Sequence, residues 1–195
     1  MNNVAGSFRQ ALDEVSASSA GGAPFLICYG ITFIITAVLS FFLPRETSAI
    51  IVMFQGGVAL PASFQLERMM GQGRMSAENP LKNLSAQLAV SQALAIPFLI
   101  VAYTVNPNQI PVIMAGLGGV HFLPYAWLHR TRLYIAIGVI ISLGAFALIL
   151  ASSVSNSYPY ILLLVGLTYL AASPLVYRHA KKVSITPAPS PKTLP

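Results

Sequence analysis

Residues 110–151 read IPVIMAGLGGVHFLPYAWL (Ile110–Leu128), then HRTR (His129–Arg132), then LYIAIGVIISLGAFALILA (Leu133–Ala151). Neither long run contains Asp, Glu, Lys or Arg, while the turn between them carries Arg130 and Arg132. Nineteen residues of helix extend about 29 Å, close to the ~30 Å of hydrocarbon that a membrane presents. Two apolar runs of crossing length, joined by a short basic turn, make an antiparallel pair of membrane helices. Period-two alternation, the mark of a membrane barrel, is absent.

The rest of the chain agrees with that pair. Hydrophobic residues make up 55 % of the sequence and charged residues 8 %, with a mean hydropathy of +0.71. Such a balance leaves too little polar surface for a soluble domain. Four more runs can be marked: Pro24–Leu43, Thr47–Leu66, Leu84–Val105 and Tyr158–Tyr177. The expected fold is therefore an all-α integral membrane protein, with six transmembrane helices arranged as three helical hairpins. The single cysteine, Cys28, excludes an internal disulfide.

Charge sets the expected orientation. With both termini cytoplasmic, the inner segments hold Arg9, Arg68, Arg74, Lys82, Arg130, Arg132, Arg178, Lys181, Lys182 and Lys192, and the outer loops hold Arg45 alone. That asymmetry follows the positive-inside rule and places the chain in a bacterial inner (plasma) membrane. The net charge of +6 is then assigned to topology and to anionic lipid headgroups as partners, and nucleic acid is not expected.

Three domains are expected. Residues 1–22 form an amphipathic interfacial segment, with Val4, Phe8, Leu12 and Val15 at near-helical spacing. Residues 23–178 form the six-helix domain. Residues 179–195 form a basic, Pro-rich disordered cytoplasmic tail, since four prolines follow Ser184. The apolar core after Pro24 is too long for a signal peptide, so the first span is expected to be retained. Asn79-Pro80 reads as the start of a helix, with Asn79 capping.

Gly56/Arg68, Gly118/Arg130 and Gly166/Arg178 share one spacing, with Pro61, Pro124 and Pro174 between them. One plan repeated in the three outside-to-inside spans would give this pattern, as would the ordinary use of Gly and Pro in membrane helices. The His121-Phe122-Leu123-Pro124-Tyr125-Ala126-Trp127-Leu128 run, Leu133-Tyr134, Asn79-Pro80-Leu81 and Ser91-Gln92 give the chain a resemblance to a family. Over about residues 20–180 it resembles a bacterial family of small polytopic membrane proteins of unknown function. The resemblance implies the multi-span architecture and brings no substrate, cofactor or catalytic residue.

The candidate polar site comprises His121, Tyr125, Gln92 and Gln55. His121 lies near mid-span, and Pro124 deprives the Val120 carbonyl of its helical partner. Gly118, His121, Tyr125 and His129 fall on one helix stripe, and an ionisable residue at membrane depth is a functional candidate. A neutral histidine bonded across a helix interface, with Trp127 and His129 as edge anchors, is the structural alternative. Gln55 and Gln92 supply amides. The Cys28, Thr32, Thr36, Ser40 stripe and the Gly138/Ser142 pair read as packing.

No catalytic residue, metal site or cofactor is assigned. The five acids fall outside the span interiors, which argues against ion-coupled transport, and no metal cluster or phosphate loop is present. The leading expectation is a passive channel or small-solute transporter. A structural or regulatory membrane protein acting through a partner or homo-oligomer is second, and an enzyme using His121 as acid or base is last.

Overall fold

A computed structural model describes residues 2–72 and 75–185; the side chains of residues 2–6, 85, 86, 89, 184 and 185 are outside that description. The described chain is helical throughout, with no strand. Nine α-helices follow in order: α1 Asn2–Ser18, α2 Ala23–Leu39, α3 Arg45–Phe54, α4 Gly56–Met70, α5 Lys82–Ser91, α6 Ile96–Val105, α7 Ile110–Leu128, α8 Leu133–Ala151 and α9 Val154–Ile185.

Five stretches are long and apolar enough to cross a membrane: Ala20–Leu39, Arg45–Met70, Pro107–Leu128, Leu133–Ala151 and Val154–Val183. The third expected span is not among them: its helical winding continues from Lys82 to Val105 but tightens part-way along. Between α5 and α6 the residues Gln92–Ala95 wind as a 3-10 turn. Pro97 sits in the first turn of α6, where its missing N–H is harmless, but within a longer helix its ring would clash with the carbonyl four residues back. The α-helical winding therefore resumes at Ile96. The second span is interrupted more gently at Gln55, just before the poor helix formers Gly56 and Gly57.

Helices α2 and α8 run antiparallel to α9, and α7 runs parallel to it. Gly30 of α2 meets Gly166 of α9, where a Cβ on Gly30 would lie 3.1 Å from the Gly166 carbonyl. Phe33 and Tyr169 pack edge to face nearby, and Phe41 packs on Tyr160 further along. Gly144 of α8 abuts Leu164 of α9. Helices α7 and α8 cross at Gly119 and Gly138, close enough for a Cβ on Gly138 to sit 2.6 Å from the Gly119 carbonyl. Ser142 joins that crossing through a 3.4 Å bond to the Ala115 carbonyl, which is the packing role expected of the Gly138/Ser142 pair. Thr32, Thr36 and Ser40 donate to carbonyls of their own helix, so that stripe is satisfied internally.

Large apolar side chains cover the outside, including Phe42 at 80 % and Phe98 at 76 % exposure. Against water this surface would be an aggregation patch; against lipid it carries no such cost. Inside, Tyr134, Tyr158, Ile110, Ile141 and Leu162 are almost fully enclosed.

At the Arg130 end, α1 folds against α7 and α9. Its Ala11, Leu12 and Val15 are buried with Leu81 and Leu128, and Met75, Leu84, Leu88 and Tyr125 pack around them. Asn79 Oδ1 accepts from Leu81 N at 2.9 Å, while its Nδ2 donates to the Ala11 carbonyl and to Glu14. It therefore turns the chain ahead of α5 and ties α1 down, whereas the N-cap of α5 is Leu81, without a side-chain bond. The expected tail began at residue 179, but α9 continues through Ile185; residues 186–195 lie outside the described residues.

Candidate functional site

The four site residues expected from sequence do not all meet. His121 and Tyr125, one turn apart on α7, pack edge to face with ring centroids 5.0 Å apart. The polar partner of His121 is Ser91, the last residue of α5, whose Oγ lies 3.4 Å from Nδ1. Ser91 Oγ–H donates to the Leu88 carbonyl at 2.7 Å, so its hydrogen is committed. The remaining pairing has His121 Nδ1–H donating to Ser91 Oγ, which makes Nε2 an acceptor without a hydrogen-bond partner among the described residues.

Gln92 is the first correction. It opens the 3-10 turn and is exposed. Adjacent residues of a helix point about 100° apart, so Gln92 does not share the face on which Ser91 meets His121. Gln55 is the second. Its side chain is 6 % exposed, but neither amide atom has a hydrogen-bond partner, so it makes no bond to His121. An unpaired amide in an apolar interior costs several kcal/mol (roughly 2–7, depending on the reference medium).

Depth nonetheless links these groups. Gln55 follows the start of α3 by about 15 Å of helix and His121 follows the start of α7 by about 16 Å. Helices α3, α6 and α7 are mutual neighbours, so the two interruptions and the histidine sit at about the same level. The groove formed by Leu123, Ala126, Trp127, Arg130, Arg132 and Ile135, about 320 Å³, opens at the α7–α8 turn and includes none of the four.

A second polar cluster, missed by sequence reasoning, lies at that end. His129, expected as an exposed edge anchor, is 3 % exposed. Its Nδ1 shares a 3.0 Å hydrogen bond with Ser16 Oγ of α1. Its carbonyl accepts from His179 Nε2 at 3.1 Å. The ring stacks between Tyr125 and Tyr134 at 5.9 and 5.4 Å. Burial, and then the neighbouring His179, push its pKa down to about 4, so the ring is neutral at pH 7.

Tyr134 donates its hydroxyl to the Gly21 carbonyl, and Arg130 pairs with Asp13 at 2.8 Å. Opposite charges on residues 13 and 130 were the available signal, but nothing local indicates that those positions meet. Among the described residues no group of three His, Cys, Asp or Glu could hold a metal.

With this geometry in hand, one comparison is decisive. The family described as "Family of unknown function (DUF7010)" matches residues 8–179. The chain belongs to that family. The DUF7010 match begins within α1, at Phe8, and stops within α9, so the docked residues Ala11, Leu12 and Val15 lie inside it. No curated protein and no solved structure matches the chain.

Proposed function

We propose that this DUF7010 protein crosses the bacterial inner membrane six times, with both termini cytoplasmic, and lets a small uncharged polar solute pass near His121. The observation that carries this reading is the 3-10 winding within the third expected span. Ser91, beside it, bonds the one histidine at membrane depth. Interrupted helices free backbone and side-chain polar groups inside a membrane, where substrate sites are commonly built.

The chemistry fits a neutral hydrogen-bonding solute. His121 Nε2 offers an acceptor, and the Gln55 amide offers both a donor and an acceptor without partners. Absence of carboxylates from the span interiors argues against a cation-driven cycle. The packed interior is a closed conformation, with His121 half-buried between α7 and Ser91.

The test is solute flux in proteoliposomes, screened with urea, glycerol and small amides. Wild-type protein is expected to pass at least one of them above empty-vesicle rates, and His121→Ala to lower that rate about tenfold, through loss of the hydrogen bond to Ser91 and its positioning. Flux at the empty-vesicle level for wild type with the whole panel would sink the reading.

A further inference from the structure

We infer that α1 is a hinged plug that closes the cytoplasmic end of the path to His121; this rests on the orientation and the site proposed above. The apolar face of α1 is inserted at one place. Leu12 and Val15 pack with Leu84 and Leu88 of α5 and with Tyr125 of α7. Leu84, Leu88 and Ser91 share one face of α5, and Tyr125 and His121 are one turn apart on α7. The two residues that bond each other, Ser91 and His121, thus stand directly above the residues that α1 covers. The exposed side of Ser91 would face lipid, and Leu12 and Val15 cover the approach from the cytoplasmic end.

The attachments suit a part that moves. Around its rim α1 is held by polar latches: Ser16 to His129, Asp13 to Arg130, Glu14 to the Ser76 N–H and to Asn79, and the Ala11 carbonyl to Asn79. The Ser16–His129 bond is buried, whereas the Asp13–Arg130 pair is part-exposed and open to exchange with water. The other face of α1 carries exposed Arg9 and Gln10, so the helix belongs at the membrane surface.

The link to α2 has the form of a hinge. Ala20, Gly21 and Gly22 have φ of 51°, 65° and 80°, three successive left-handed residues. Tyr134 pins the Gly21 carbonyl, which fixes the pivot, and the end of the helix before it is tied by Gln72 N–H donating to the Ala17 carbonyl at 2.9 Å, one more latch to release. A Cβ on Gly21 would lie 2.8 Å from the Val176 carbonyl, so the pivot is fitted closely against α9.

The test reads accessibility as well as flux. In a Cys28→Ser background, Ser16→Cys reports release of α1 and Ser91→Cys reports opening of the path, each labelled with a membrane-impermeant maleimide applied from the cytoplasmic side. Asp13→Arg, which opposes Arg130, is expected to raise both labelling rates on the order of fivefold. Adding Arg130→Asp should restore protection, which a misfolded protein would not do.

Faster labelling at Ser16→Cys with no change at Ser91→Cys would overturn the plug. So would no change at either position, because the latches would then not be holding a mobile helix. Opening at Ser91→Cys without flux in any variant would leave the plug standing and remove the transport reading.

Discussion

Leucine at Gly119 is expected to leave little folded protein, whereas leucine at Gly116, three residues earlier on the same helix, should be accepted. The two glycines differ in what a side chain would meet. At Gly119 a Cβ would strike Ser142 Oγ and lie 2.8 Å from the Gly138 carbonyl; at Gly116 nothing is within 4 Å. The α7–α8 crossing brings two backbones together, so the obstacle cannot rotate away and the helices must separate. Over-packing of this kind costs roughly 3 kcal/mol, a large share of the ~5–15 kcal/mol that holds a typical protein together. Gly116→Leu adds apolar surface facing outward and gains up to about 1 kcal/mol of helix propensity. Melting of the two variants in detergent, followed by size-exclusion chromatography, separates them; equal melting temperatures would mean that α7 and α8 do not cross at Gly119.

Tyr134→Ala should be the most damaging change at the Arg130 end, and Tyr134→Phe should be far milder. Tyr134 is 2 % exposed. It packs on Phe122, Tyr125 and His129, with centroids 5.5, 5.8 and 5.4 Å away. Truncating a buried aromatic costs about 3–5 kcal/mol, and the orphaned Gly21 carbonyl adds about 1–3 kcal/mol. Phenylalanine keeps the stack and loses only the second contribution. Limited proteolysis at residues 19–22 reads the same difference locally, since that linker is held by the Tyr134 hydroxyl. Cleavage of Tyr134→Ala no faster than of Tyr134→Phe would show that the ring stack does not anchor the linker.

The sequence made the helices legible because the membrane imposes one simple demand: apolar runs of fixed length with no charge inside them. Leu133–Ala151 illustrates this, with the expected run and the observed helix coinciding. What escaped was local or long-range. The 3-10 turn at Gln92–Ala95 depends on where Pro97 lands relative to a helix start, and apolar composition is blind to that. Ser91 and Gln92 are adjacent and both polar; only the rotational setting of α5 decides which one meets His121 of α7. His129 looked like an edge anchor because its neighbours in sequence are Leu128 and Arg130, whereas it is buried by Ser16 of α1, far away in the chain. Helical periodicity revealed a sided N-terminal segment but could not say that its apolar side would be spent on Leu84, Leu88 and Tyr125.

The site and the plug both require that the α5–α6 segment crosses the bilayer, which places Ala77 and Gln109 on opposite sides. In a Cys28→Ser background, Ala77→Cys and Gln109→Cys can be challenged in intact cells and in inside-out vesicles with a membrane-impermeant thiol reagent. The expected result is Gln109→Cys labelled only in cells and Ala77→Cys only in inverted vesicles; labelling of both from the same side would contradict the six-crossing account.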